Sequence, residues 1–199
     1  MKHSIMGFLF GTLCLLLTGC ATSPATQFYT LNAVNAEQTT QTSGAPKYRV
    51  VVGMATIPDS VNRTAMVTRE GANEVRVHEN QRWAESLKSE IPRVVALNIS
   101  SQLPDAQVAA YPQQLALGEA DFDVLLDVQA FDATISEAVV LDVQWRIQRH
   151  GENGVSVARR TRLTEKVQGD DMAEVAAAFS RALAVVSQEI ASTIQQAKQ

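Results

Sequence analysis

From Val139 to Ile147 the odd positions Val139, Leu141, Val143, Trp145 and Ile147 are apolar, facing Asp142, Gln144, Arg146 and Gln148. A period of two predicts a strand with one buried and one wet face. Asp121 to Asp127 has the same alternation through Phe122, Val124 and Leu126. Val128 continues that phase and Phe131 falls out of step, which predicts a bulge. Gly151-Glu152-Asn153-Gly154 turns the chain into a third strand over Val155–Val167, completing an antiparallel meander. Upstream, Tyr48–Ile57 is a β-branched run closed by Pro58. Ala65–Glu70 and Glu74–His78 flank Gly71-Ala72-Asn73 as a hairpin, and Phe28–Leu31 is a brief strand.

Two stretches follow the helical period instead. Trp83, Leu87, Ile91, Val94, Val95 and Asn98 mark the core face of a helix expected over Gln81–Gln102. Pro92 removes one backbone donor there and predicts a kink or a second start. Met172, Val175, Ala176, Phe179, Leu183, Val186 and Ile190 form the stripe of a helix over Met172–Gln196, N-capped by Asp171 with Glu174 three residues later. The expected fold is α/β, on the border of α+β: a single mixed, mainly antiparallel sheet packed with two long amphipathic helices. Helices on one face would leave the meander's polar face wet, and helices on both would bury it; the pattern allows either.

The N-terminus is patterned differently. After Lys2 and His3, Ile5–Leu17 is an apolar run of about 13 residues, the length of a signal-peptide core and too short to cross a membrane. Leu17-Thr18-Gly19-Cys20 at its end resembles a bacterial lipobox. Residues 1–19 are therefore expected to be a signal peptide, with Cys20 acylated at the new N-terminus. Several acyl chains make attachment to a membrane stable. Ala21, where Asp favours inner-membrane retention by sorting convention, points to the outer membrane. Residues 20–27 form a short tether reaching about 23 Å at ~3.3 Å per residue. Residues 28–199 form a single globular domain, with 32–46 a mobile, low-complexity loop.

Composition narrows the chemistry. The chain has 199 residues, a formal net charge of −4 and 2 cysteines. Its acidic balance gives no general nucleic-acid footprint. Cys14 leaves with the signal and Cys20 carries lipid, so the mature domain is expected to have neither a disulfide nor a thiolate metal site. The sequence holds no HExxH, GxSxG, P-loop or GxGxxG pattern. His78 and His150 fall on different predicted elements. Glu70, Glu74 and Glu79 near His78 read as solvated hairpin flanks, and Asp123, Asp127 and Asp142 as the wet face of a strand. No enzyme activity, catalytic residue, metal or cofactor is predicted.

Two features point to binding. Arg146, Arg149, Arg159, Arg160 and Arg162, with His150 and Lys166, concentrate on the last hairpin of an otherwise acidic chain. They would suit anionic headgroups or an acidic partner, or simply protect an edge strand. The irregular stretch Ile57–Arg69 offers Pro58, Asn62, Arg63 and Arg69 as candidate partner-binding residues, either for recognition or for internal pairing.

Taken together, the lipobox, Phe28-Tyr29-Thr30-Leu31, Val50–Pro58, Arg63, Met66-Val67-Thr68-Arg69, Glu74, Arg82-Trp83-Ala84-Glu85-Ser86-Leu87 and Asn98–Pro104 resemble the PqiC-type, or ABC-type transport auxiliary, lipoproteins. Asn62 departs from the pattern, which has Asp before the Arg, as does Asp59-Ser60-Val61. The resemblance implies an outer-membrane-anchored lipoprotein facing the periplasm. It would serve as the docking component of an intermembrane lipid-transport system whose inner-membrane complex carries an MCE-domain protein. It also implies a mixed α/β fold and self-association into a ring. The alternative is a periplasmic carrier that holds lipid between sheet and helices.

Overall fold

The computed structural model describes residues 24–34, 45–112, 118–151, 154 and 156–198. The expected signal peptide and Cys20 lie outside the described residues, as do 35–44 of the expected loop and 152, 153 and 155 of the expected turn and strand. Among the described residues eight strands and two helices follow one another: β1 (Gln27–Tyr29), β2 (Tyr48–Thr56), β3 (Ala65–Arg69), β4 (Val75–Trp83), α1 (Leu87–Gln102), β5 (Ala106–Ala110), β6 (Phe122–Thr134), β7 (Ala138–Arg149), β8 (Ser156–Lys166) and α2 (Met172–Ala197). The α/β class holds, but the strands divide between two sheets instead of forming one. The larger has the order β5-β2-β6-β7-β8 and the smaller β1-β4-β3. β2 runs parallel to both β5 and β6, whereas β6, β7 and β8 form the expected antiparallel meander.

Both helices lie on one face of the larger sheet. α1 packs on β2 and β5, α2 packs on β7 and β8, and the two helices touch each other. Val50, Val52, Val124, Leu126, Val143, Trp145 and Ile147 turn toward them and are buried. On the opposite face Gln129, Gln144, Arg146 and Gln148 are exposed. The alternation legible in the sequence is thus the signature of a two-layer domain.

The bulge falls where Phe131 required it. The β6–β7 register shifts between Val128 and Ala130, and the extra residue returns Phe131 to the helix side. There it stacks on Phe179 of α2, ring centroids 3.6 Å apart and planes 6° apart. Trp83 meets both rings edge-on, at 6.1 and 6.5 Å. Trp145 donates its indole N–H to Thr161 Oγ1 at 2.9 Å, and that hydroxyl donates in turn to Glu189 of α2.

One expected boundary is corrected. α1 begins at Leu87, not Gln81, because β4 runs through to Trp83 and Ser86 is the N-cap, its carbonyl accepting from the amides of Ser89 and Glu90. Pro92 sits in the second turn of a single continuous helix, removing one internal bond without dividing it. The stretch after Leu103, to which the sequence pattern assigns no element, contains β5, which adds to the edge of β2. The α2 cap is as expected: Asp171 Oδ1 accepts from the Glu174 amide at 2.9 Å.

Candidate functional site

The segment that follows β1 is held by buried side chains. Glu90 and Asn98 project from the core face of α1 and are 0% and 1% exposed. The Leu31 amide donates to Glu90 Oε1 at 2.9 Å, and the Val34 amide to Asn98 Oδ1 at 3.0 Å. Between them the Asn32 amide donates to Ser180 Oγ on α2 at 3.1 Å. Arg93 reaches both the Leu31 carbonyl, at 3.5 Å, and Glu90, at 3.4 Å. Three residues after β1 are therefore strapped across both helices by side chains that replace ladder partners. Asn32 and Val34, expected within the mobile loop, belong to this strap. Burial pushes the Glu90 pKa up, opposed by the Leu31 amide and Arg93. Glu90 Oε2 and Asn98 Nδ2 have no further partner among the described residues. Sequence reading missed Glu90; its signal was a carboxylate three residues after Leu87, on the apolar stripe.

Of the loop candidates, three stay together. The Pro58 carbonyl accepts from the amides of Val61 and Asn62, both at 3.1 Å, and Val61 is buried. This tight turn between β2 and β3 leaves Asn62 and Arg63 exposed. Arg69 stands apart at the far end of β3, where its Nε pairs with Asp132 at 3.1 Å. It ties the smaller sheet to β6.

The basic cluster is divided by strand parity. Gln144 pairs with Arg160, Asp142 with Arg162 and Arg146 with Ala158, so Arg146, Arg160 and Arg162 share the face away from the helices. Arg159, one residue out of phase, lies 5.9 Å from the Trp145 ring centroid. Arg149 donates to the Ala197 carbonyl at 2.9 Å, placing a cation at the C-terminal end of α2. Asp142 does face outward, but it is not wet: the residue is 1% exposed. Arg160 grips it through Nε at 2.8 Å and Nη2 at 2.7 Å, and Arg162 Nη1 adds a 3.3 Å contact. The Arg160 hydrogen bond, outweighing burial, holds the Asp142 carboxyl below its ordinary range. Beside these arginines a shallow groove of about 670 Å³ opens on the same face, lined by Met54, Thr56, Leu125, Asp127, Gln144 and Arg146 among others.

The His78 group does not assemble acid–base chemistry. His78 Nε2 and Thr68 Oγ1 share a hydrogen bond of 2.8 Å, and burial followed by Arg76 lowers the His78 pKa. Glu70 pairs with Arg76 at 3.0 Å. Asp123 is bound to His150 at 2.7 Å, on the larger sheet. Among the described residues no group of three His, Cys, Asp or Glu side chains is placed to hold a metal ion, and no helix is long and apolar enough to cross a membrane. The layer between sheet and helices, where a carried acyl chain would lie, is filled by a continuous apolar core.

Comparison with known proteins places this two-layer α/β domain in a family. The profile of the ABC-type transport auxiliary lipoprotein component matches residues 29–191, and the chain belongs to that family. It is 26% identical over 181 residues to the intermembrane transport lipoprotein PqiC of Escherichia coli K12, covering 88% of this chain and 92% of that protein; the Shigella flexneri PqiC matches equally. Among solved structures, an uncharacterized protein superposes with a TM-score of 0.70 at 23% identity, covering 86% of this chain and 99% of its own. A Xanthomonas campestris protein gives 0.61 at 16%, covering 87% and 99%. These two likenesses concern the fold alone. The chain is a transport auxiliary lipoprotein.

Proposed function

We propose that this lipoprotein is anchored in the outer membrane through acylated Cys20, faces the periplasm, and acts as the docking component of an intermembrane lipid-transport system. Its partner is an MCE-domain protein of the inner-membrane complex, and it works by contact, without chemistry of its own. Self-association into a ring, as the family resemblance implies, is compatible with this role. The likeness to PqiC along nearly the whole chain supports the assignment.

The observation that carries the mechanism is the strap. Leu31 and Val34 are fastened to α1, and Asn32 to α2, so a pull on the N-terminal tether is delivered to the helical layer of the core. A tether of about 23 Å then keeps the whole domain beside its membrane. Confinement raises the effective concentration of its exposed surfaces, so modest intrinsic affinity is enough to hold a partner. Globomycin, which blocks lipoprotein signal cleavage, tests the anchoring step. Unprocessed precursor should accumulate, and untreated mature protein should begin at Cys20 with fatty acid attached; mature protein free of fatty acid would refute the reading.

A further inference from the structure

Phe28 is the most exposed large apolar side chain among the described residues, at 65%. The backbone on either side of it is held. β1 pairs in parallel with β4, with Phe28 in register with Arg82, and the Ala84 amide donates to the Tyr29 carbonyl at 2.8 Å. The Tyr29 hydroxyl is engaged by the side chains of Gln27 and Gln81. Its ring packs against the core, so strand alternation turns Phe28 the other way. The strap then fastens Leu31, Asn32 and Val34 to the helices. Phe28 therefore cannot cover its ring without giving up β1.

Beside that ring a groove of about 430 Å³ runs between the strap and the first half of α2. Phe28, Val34, Ala173, Ala176 and Ala177 form the apolar part of its lining, and Val34 is itself 36% exposed. The charges around it have no dominant sign. Arg181, in the groove wall, pairs with Glu165 at 2.7 Å, and Arg82 lies 4.0 Å from the Glu79 carboxylate. Asp171, near the Tyr29 hydroxyl, caps α2. Charge therefore selects neither an acidic nor a basic occupant, and the apolar surface is what remains to be covered.

The length of chain ahead of Phe28 selects the occupant. Residues 21–27 alone separate it from Cys20, so an acylated Cys20 keeps the ring within about 23 Å of the bilayer at ~3.3 Å per residue. We propose that this face lies against the membrane, with Phe28 inserted between headgroups and acyl chains and Val34 and the α2 alanines beside it. The proposal rests on anchoring through Cys20. It adds a second contact, made by the protein itself, which sets how the domain is oriented on phospholipid. Aromatic side chains on a surface element enter that boundary region readily. A single ring suffices here, because the tether has already confined it to the bilayer surface and raised its effective concentration there.

The test is fluorescence of the full lipidated chain in vesicles of phosphatidylethanolamine and phosphatidylglycerol, with Phe28→Trp as the probe. The native indoles of Trp83 and Trp145 are 4% and 2% exposed, which keeps them away from a quencher in the bilayer. Brominated acyl chains should quench the added indole of Phe28→Trp. They should leave that of Leu125→Trp, on the sheet face turned away from the helices, unquenched. An indole placed by Val34→Trp should be quenched while Phe28 is intact, and less so once Phe28→Ser is added. Raising the salt should release none of this, because the contact is apolar. No quenching at position 28, on vesicles that retain the chain, overturns the proposal and leaves the anchor standing. Equal quenching at 28 and 125, or quenching at 34 that ignores Phe28→Ser, does the same. So does a probe at 28 that a second copy of this chain shields from aqueous iodide and from bromine alike. A chain that washes off the vesicles overturns both readings.

Discussion

The amide of Leu31 donates to the carboxylate of Glu90 across 59 positions of sequence, at 2.9 Å, and both residues are 0% exposed. This bond joins the segment that emerges toward the tether to the first helix of the core. Its electrostatics give it a definite pH dependence. Burial raises the Glu90 pKa, so around that value the folded state binds more protons than the unfolded chain. Stability carried by this group therefore falls as pH rises from the unfolded carboxylate pKa through the raised folded one. Glu90→Gln should flatten that part of the stability-against-pH curve, followed by thermal unfolding. Glu90→Ala leaves the Leu31 amide unpaired and should cost on the order of 1–3 kcal/mol.

Asp142 behaves with the opposite sign. Its pKa is lowered by Arg160, so the unfolded chain takes up protons before the folded one does. The stability it contributes is complete above the unfolded pKa and disappears as pH falls through the depressed folded value. Asp142→Asn should remove this loss from the acid limb of the curve and lower stability at neutral pH. The pair of variants separates the two groups, because each changes a different slope.

Asn98→Ala should release the strap without disturbing the sheet. The Val34 amide would lose its only acceptor among the described residues. Amide hydrogen exchange should show Val34 losing protection, with β7 amides at the registers of Val143 and Trp145 unchanged. Uniform loss of protection would instead mean that Asn98 supports the whole core.

Trp83→Ala should be among the most damaging single changes, at ~3–5 kcal/mol, because the buried ring packs edge-on against the stacked Phe131–Phe179 pair. In a domain of this size that corresponds to a melting temperature lower by roughly 2–4 °C per kcal/mol. Arg63→Ala, on the exposed turn after β2, should stay within about 0.5 kcal/mol of wild type in a denaturant titration.

Much of this architecture was legible because alternation and helical period are imposed by the faces they bury. Phe131 shows how far that goes: its break in phase located a bulge, and the ring that broke phase is the one stacked on Phe179. Trp83 shows the limit. It sits four residues before Leu87, in helical phase, while the second half of the strand it ends, from Glu79 to Arg82, is too polar to announce itself. β5 was hidden because Ala106–Ala110 has little β-branching, and its place is decided by the neighbouring edge of β2.

The candidate surfaces were legible only in part. Five arginines lie close in sequence, but parity puts Arg149 and Arg159 on different business from Arg146, Arg160 and Arg162. Alternation placed Asp142 on the outward face correctly, yet gave no hint of its cover, which comes from the next strand. Likewise, Arg69 found an internal partner in Asp132, a pairing that requires knowing how the smaller sheet meets β6.

The proposed docking role requires a folded domain whose amino terminus is fixed to a membrane. The direct measurement is intermembrane transport in cells that carry Cys20→Ala, exported through an ordinary cleavable signal, as the only copy. The expected result is a soluble protein that melts like the wild-type domain and no longer supports transport. Full transport by that unanchored protein would contradict it.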